Sequence, residues 1–268
     1  MKERLDVLLV SRGFFPSREK ARTAIMEGLV FIGTQRYDKP GMQVDTEAEL
    51  TVRGNTCPYV SRGGLKLEKA IQLWNIGLDS AMCMDIGSST GGFTDCMLQN
   101  GAKHVYALDV GTNQLDYRLR TDQRVTVMEK TNIRDIDPGA FERMDFVTAD
   151  VSFIGLKFIF PKASALLREG GRMVALVKPQ FEAGREKVGK GGIVRDRSVH
   201  EEVLANTLKL AENFGLRPQG LSFSPITGTK GNIEYLLYLQ KGDPEQFSPF
   251  TEKDIHDIVD DSHRELGK

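Results

Sequence analysis

The stretch Met84-Asp85-Ile86-Gly87-Ser88-Ser89-Thr90-Gly91-Gly92-Phe93-Thr94-Asp95 decides how the rest of the chain is read. The apolar run Ala81 to Met84 leads into it and predicts a buried strand, bounded afterwards by glycines. Gly87, Gly91 and Gly92 permit a tight turn and let a ligand approach the backbone closely. Phe93 to Asn100 then predicts a helix that stops at Gly101. A strand, a glycine turn and a helix N-terminus together make a place for a polar or anionic ligand group. A second strand, His104 to Leu108, closes on Asp109. An acid about 20 residues beyond the turn reaches a ribose diol in nucleoside-binding sheets.

Three nucleoside ligands compete for this turn. A P-loop has the form G-x-x-x-x-G-K-[ST]; here Phe93 stands where the lysine belongs, so no side-chain cation would meet the phosphates. A dinucleotide fold has G-x-G-x-x-G, and Gly87-Ser88-Ser89 lacks the second glycine. S-adenosylmethionine is the remaining reading, with an amino-acid end for the turn, a ribose for Asp109 and no phosphate. An ordinary glycine-rich βα turn without a ligand is the plain alternative, and the second acid in register speaks against it. The candidate cofactor contacts are Asp85, Gly87, Ser88, Gly91, Gly92, Phe93, Thr94 and Asp109.

At 268 residues the chain has room for one large domain and a small one. Its 40% hydrophobic and 27% charged content suits a globular protein in water. A net charge of -1 gives no global pull towards nucleic acid, so any basic surface is local. Cys57, Cys83 and Cys96 fit no metal spacing and leave one thiol unpaired, which favours a reducing compartment; the four histidines form no metal motif either, and no metal is expected. No apolar run approaches the roughly 18 residues of a membrane span. The run Val7 to Val10 is too short for the core of a signal peptide, so a cytoplasmic location without membrane partners is expected.

Residues 1–53 predict a small α/β module. Leu5, Leu8 and Leu9 give a short amphipathic helix ended near Gly13. Ser17 caps a second helix, with Ala21, Ala24 and Ile25 on one face and Gly28 at its end. Leu29 to Ile32 and Glu49 to Val52 predict strands, with a turn at Lys39-Pro40-Gly41. Arg12, Arg18, Lys20 and Arg22 gather around the second helix, where they could meet nucleic-acid phosphates, although a charge cluster of this kind is often just a solvated face. The ordered pattern says more than the charge. Arg4-Leu5-Asp6, Arg12-Gly13, Ser17-Arg18-x-x-Ala21, Ile25-x-x-Gly28-x-Val30 and Lys39-Pro40-Gly41 resemble the S-four RNA-binding domain, with Ile32-Gly33 in place of its usual Asn-Gly turn.

Residues 54–58 read as a linker, and a larger domain is expected over 59–245 with a polar helix or tail over 246–268. Leu67, Ala70, Ile71 and Trp74 recur at helical spacing, with Lys66 near the helix start. Strands are expected at Val125–Met128, Phe146–Thr148 and Met173–Val177 as well, with a helix over Phe158–Arg168 and another near His200–Phe214. Such alternation predicts a doubly wound, mostly parallel sheet. Gly220–Phe223 and Glu234–Leu239 follow without an intervening helix and suit an antiparallel pair at its edge. The glycine-rich, charged stretch Glu182 to Arg195 is expected to order when substrate enters.

Function in such sheets gathers at the carboxyl ends of strands. Asp150 follows the fourth strand, Lys178 the fifth, and Glu234 begins the last; with Lys66 they form a Lys-Asp-Lys-Glu set beside the proposed cofactor. These residue types fit transfer of an activated methyl group to a weakly acidic hydroxyl. Lys178 could serve as base if a neighbouring cation favours its neutral form, or the set could act chiefly by positioning.

Tyr59-Val60-Ser61-Arg62-Gly63-Gly64-x-Lys66-Leu67, the Asp85 to Thr94 turn and Val177-Lys178-Pro179-Gln180-Phe181-Glu182, in this two-domain order, resemble the TlyA family. Its members were first described as haemolysins and are similar to FtsJ-like ribosomal RNA 2′-O-methyltransferases. The resemblance implies a seven-stranded methyltransferase sheet and S-adenosylmethionine-dependent methylation of cytidine 2′-hydroxyls, with ribosomal RNA or ribosomal subunits as partner. It places the catalytic tetrad on Lys66, Asp150, Lys178 and Glu234, and sets Asn132 near the adenine and Asp150 also beside the cofactor. Arg4, Arg12, Arg18, Lys20, Arg22 and Arg62 are the candidate RNA contacts. Two other classes stay open at this stage: an RNA-binding assembly factor without turnover, and a membrane-active protein.

Overall fold

A computed structural model describes residues 2–15, 17–26, 28–53, 57–228, 230–242 and 249–267. The expected linker residues 54–56 and the expected domain edge at 245 lie outside the described residues. The chain divides into two compact units, Met1–Cys57 and Pro58–Lys268.

In the first unit, β1 (Lys2–Arg4) leads into α1 (Leu5–Ser11), followed by α2 (Arg18–Met26), β2 (Val30–Ile32), β3 (Gln35–Tyr37), β4 (Gln43–Asp45) and β5 (Leu50–Val52). Strands β3-β2-β5 form one antiparallel sheet and β1-β4 a separate antiparallel pair. Leu5, Leu9, Ala21, Ile25 and Val30 are wholly buried and join α1 and α2 to β2. Ser17 Oγ accepts the Lys20 N–H at 3.3 Å, the expected cap of α2. Strands β1, β3 and β4 carry no signal in the sequence. Each has three largely polar residues, too few to show a period, and pairing alone makes them strands.

Among the described residues of this unit one acid, Asp6, is buried. Asp6 accepts from Arg4 Nε and Nη2, both at 3.0 Å, and from Arg18 Nη2 at 3.1 Å. The Arg4 hydrogen bond, opposed by burial and reinforced by Arg18, brings its carboxyl down to about 2. A lowered carboxyl stabilises the fold fully above its ordinary pKa of about 4 and loses that contribution as pH falls through the folded value. Asp6→Asn is therefore expected to be less stable than the parent chain at pH 5, with the deficit shrinking towards pH 2. Urea midpoints of the two chains across that range check this.

The second unit contains α3 (Gly63–Trp74), β6 (Met82–Ile86), α4 (Gly92–Gln99), β7 (His104–Leu108), α5 (Tyr117–Arg120), β8 (Val125–Met128) and β9 (Met144–Ala149). These are followed by α6 (Phe160–Leu166), β10 (Leu167–Val177), α7 (Pro179–Glu182), α8 (Arg197–Glu212), β11 (Leu216–Phe223), β12 (Tyr235–Lys241) and α9 (Glu252–Leu266). They build one seven-stranded sheet of order β11-β12-β10-β9-β6-β7-β8. Strands β8, β7, β6, β9 and β10 run parallel, and β12 pairs antiparallel with both β10 and β11. The doubly wound, mostly parallel sheet with an antiparallel edge pair is thus present. Met173 to Val177 are all essentially inaccessible, as continuous apolar strands covered on both faces should be.

Several boundaries differ from the reading of the sequence, among them that of β11, which starts at Leu216 and not at Gly220. β6 continues through Asp85 and Ile86, because Asp85 finds donors inside the fold. The helix expected to reach Arg168 ends at Leu166, and β10 starts at Leu167, paired with Met144. Its register shifts between Leu167 and Arg172, where Gly170-Gly171 interrupts the pattern. Ile255 and Val259 of α9 belong to the same apolar core as β11 and β12.

Candidate active site

Strand β6 pairs with β7 on one side and β9 on the other, so the direction of winding reverses at its carboxyl end. A crevice at such a switch point is where doubly wound sheets bind ligands. Gly87 follows β6 there with φ +84°, and a Cβ at this position would stand 2.8 Å from the Asp150 carbonyl oxygen. Only glycine lets the turn after β6 press onto the end of β9 in this way.

The turn is held by backbone donors. The Gly87 and Ser88 N–H groups both donate to the Leu108 carbonyl, at 2.8 and 3.0 Å. Asp109 accepts the Ser89 N–H at 2.8 Å and the Gly111 N–H at 2.7 Å, which ties the turn to β7. Each carboxylate oxygen keeps capacity for a further donor. Asp85, wholly buried, accepts from Thr94 Oγ1 at 2.7 Å and Thr148 Oγ1 at 2.9 Å. Burial pushes its carboxyl up to about 6, with the two threonines pulling it back.

Above the turn lies a cleft of about 910 Å³. Gly87, Ser88, Gly92 and Phe93 border it, as do Arg62 and all four of Lys66, Asp150, Lys178 and Glu234. Asp85, Gly91, Thr94, Asp109 and Asn132 are not among the residues that line it. Asn132 accepts the Arg134 N–H at 3.1 Å and opens the short turn at 133–135. The other five candidate RNA contacts belong to the first unit. There Arg12 donates to the Ala48 carbonyl at 2.6 Å and to that of Thr46, while Lys20 and Arg22 are exposed.

The four charged residues form a continuous chain. Lys178 Nζ is 2.5 Å from Asp150 Oδ1, Lys66 Nζ is 3.3 Å from Asp150 Oδ2, and Lys66 Nζ is 2.6 Å from Glu234 Oε2. Lys66, Lys178 and Glu234 are each less than a tenth exposed. Burial disfavours an ammonium at Lys66, but the Asp150 and Glu234 carboxylates outweigh it and raise its pKa. Burial likewise works against ionised Asp150, and Lys66 and Lys178 reverse it to lower its pKa. A paired, buried set of this kind is held in place by its own charges, because removing one member strands another in low dielectric.

Local structure explains how residues so far apart in sequence meet. Lys66 shares the buried face of α3 with Leu67 and Ala70. A Cβ on Gly92 would come within 2.7 Å of the Gly64 nitrogen, so the starts of α3 and α4 abut closely. At its far end α3 is fixed over β12 by Trp74, stacked on Tyr238 at 5.3 Å. Glu234 immediately precedes β12, and its carbonyl accepts the Ser224 N–H at 2.8 Å.

Residues 59–241 match the profile of the FtsJ-like methyltransferases, and residues 3–50 match that of the S4 domain. The chain belongs to the FtsJ-like methyltransferase family. A Bacillus subtilis relative named "Putative rRNA methyltransferase YqxC" is 53% identical, over 99% of this chain and 95% of its own. The "16S/23S rRNA (cytidine-2'-O)-methyltransferase TlyA" of Mycobacterium tuberculosis is 40% identical, over 89% of this chain and 90% of its own. A solved structure, "Putative hemolysin from Streptococcus thermophilus", is 50% identical with a TM-score of 0.78, over 99% of this chain and 97% of that one.

The FtsJ-like cleft also holds residues that sequence reasoning passed over. Phe153 is 91% exposed, has φ +64°, and lies with its ring centroid 5.0 Å from that of Phe181. Both rings line the cleft beside Lys178, which also reaches Ser152 Oγ at 3.4 Å. A bulky residue at positive φ is strained, and such strain gathers at functional sites. The sequence carries no sign of that backbone state; only the nearness of Phe153 to Asp150 could have drawn attention to it. Among the described residues no group of His, Cys, Asp or Glu side chains is placed to hold a metal, and no helix is long and apolar enough to cross a membrane.

Proposed function

We propose that this FtsJ-like chain uses S-adenosylmethionine to methylate a ribose 2′-hydroxyl of ribosomal RNA, at a cytidine. The observation that carries the reading is the unbroken Lys178–Asp150–Lys66–Glu234 chain in a cleft floored by the glycine turn after β6. The printed names of the relatives point to the same substrate. Methyl incorporation mapped on ribosomal subunits from a strain lacking this protein tests it; absence of incorporation into any ribose would reject it.

The site suits this cofactor by charge. Asp109 sets a carboxylate against the turn at Ser89, and Phe93, the second residue of α4, stands where a phosphate site would hold a lysine. Such surroundings favour a cation and a ribose over a polyphosphate. S-adenosylmethionine, when bound, supplies a methyl group already activated by a positive sulfur. Backbone groups of the Gly87–Gly92 turn and Asp109 would hold it, with Asn132 near the base. Calorimetry is expected to show binding of S-adenosylmethionine and of its demethylated product, and none of GTP or NAD; tight GTP binding alone would overturn the assignment.

The protein's own groups then have to orient the hydroxyl and take or disperse its proton. Lys178, nearest Ser152 and Phe153, is the candidate to meet the 2′-oxygen, either as base or as a hydrogen-bond donor that aligns it. Asp150 and Glu234 hold the two lysines at fixed positions, and Lys66 bridges the two carboxylates. Phe153 offers an open ring face to an unstacked nucleobase. Phe153→Ala is expected to raise KM for the RNA about tenfold, within the ~1–3 kcal/mol of one stacked base. It should leave cofactor affinity unchanged. Steady-state kinetics with ribosomal subunits measure this.

A further inference from the structure

Two loops, one around Gly192 and one leading to Glu234, contribute to the wall of the cleft. The Asn232 side chain joins them. Asn232 is buried, with 4% of its surface exposed. Its Nδ2 donates to the Gly192 carbonyl at 2.9 Å, and its Oδ1 accepts the Val194 N–H at 3.1 Å. Asn232 stands two residues before Glu234, and its own carbonyl accepts the Gly228 N–H at 2.9 Å. The bond to Val194 is braced from the other side, because His200 Nε2 contacts the Val194 carbonyl at 3.1 Å. These bonds lie near the C-terminal end of the Glu182 to Arg195 stretch, which is expected to order when substrate enters.

The two contacts are reciprocal in kind, one donor and one acceptor of the same amide on one short backbone run. No other residue type of this size can make both, since aspartate lacks the donor and leucine lacks both. An amide buried in this way is more than a surface polar group that happens to be covered, because leaving either backbone partner without it is costly.

We infer that Asn232 is a positioning residue that fixes the Gly192–Val194 wall against the loop carrying Glu234, and so sets the width of the opening through which the nucleotide enters. The inference rests on the proposed function for the identity of what enters. Asn232 acts through backbone it holds, on the substrate side of the tetrad, and not on the reacting atoms.

The test uses the full chain with Asn232→Ala and the nearly isosteric Asn232→Asp. Methylation kinetics are measured on ribosomal subunits, S-adenosylmethionine affinity by calorimetry, and amide exchange in peptides spanning 184–195 by mass spectrometry. For Asn232→Ala, KM for the RNA should rise about tenfold, the scale of a lost buried hydrogen-bonded partner. Its kcat and cofactor affinity should stay near the parent values, and exchange in 184–195 should accelerate. Asn232→Asp keeps the acceptor for Val194 and should give a smaller rise in KM with the Val194 amide still protected. Parental KM and exchange in Asn232→Ala would overturn the inference. So would a joint loss of kcat, KM and melting temperature in both variants, which marks a merely structural residue. Should the parent chain fail to methylate ribosomal RNA, the proposed function falls, while the exchange measurement still decides whether Asn232 fastens the wall.

Discussion

Lys178→Ala is expected to slow single-turnover methyl transfer by at least about a hundredfold, the scale of a lost general base, with S-adenosylmethionine affinity retained. The residue follows a strand whose last five residues, Met173 to Val177, are buried, and its amine is 2.5 Å from Asp150. The arginine variants separate the two roles open to it. A guanidinium keeps its proton at any working pH, so Lys178→Arg should be inactive if Lys178 takes the proton and partly active if it only aligns the hydroxyl. Lys66→Arg should retain more activity than Lys178→Arg, because a guanidinium still bridges the two carboxylates. A base must lose its proton before it acts, so the parent rate should rise with pH and then level off. An active Lys178→Arg enzyme with the parent pH profile would remove Lys178 as the base and leave positioning as its role.

Removal of residues 1–53 is expected to abolish methylation of ribosomal RNA while S-adenosylmethionine binding survives. The second unit has its own apolar core and every residue of the cleft, so cofactor binding asks nothing of the first. The first unit supplies the S4 domain and its basic helix. Finer mapping should use Lys20 and Arg22, both exposed. Arg18 is a poorer probe, because Arg18→Glu would set a second carboxylate beside buried Asp6. Lys20→Glu combined with Arg22→Glu should weaken RNA binding and reduce the slope of log K against log salt by about one for each phosphate no longer neutralised. Unchanged affinity and slope would show that the basic helix is not the anchor.

The elements that could be read from sequence are those in which one physical rule dominates. Apolar runs revealed the core strands, and the glycines after the first of them revealed the turn that follows β6. Lys178 stood out because a charge directly after such a run has few solvated positions to occupy. What escaped the reading depends on partners distant in the chain. Asp85 appeared to belong to the turn, yet Thr148 makes it a strand residue. Arg12 and Arg18 looked like free cations, but one clips two carbonyls and the other pairs with an acid that is ordinary in sequence. The exposure of Phe153 and the bonds of Asn232 arise from backbone geometry that no local pattern encodes.

The position of β12 in the sheet has a bearing on biogenesis. It is the last strand in chain order among the described residues, yet it lies between β10 and β11 and brings Glu234 to Lys66. A nascent chain emerges from its N-terminus, and units fold as they are completed. The S4 segment therefore exists as a finished body well before the sheet can close. Until β12 arrives, β11 has no neighbour and Lys66 has only one of its two carboxylates. A chain that terminates before residue 230 would thus keep the S4 unit and the residues of the glycine turn while lacking Glu234 of the quartet. Under the proposed function such a chain would compete for RNA without methylating it, so a nonsense allele is expected to interfere with a wild-type copy where a deletion does not.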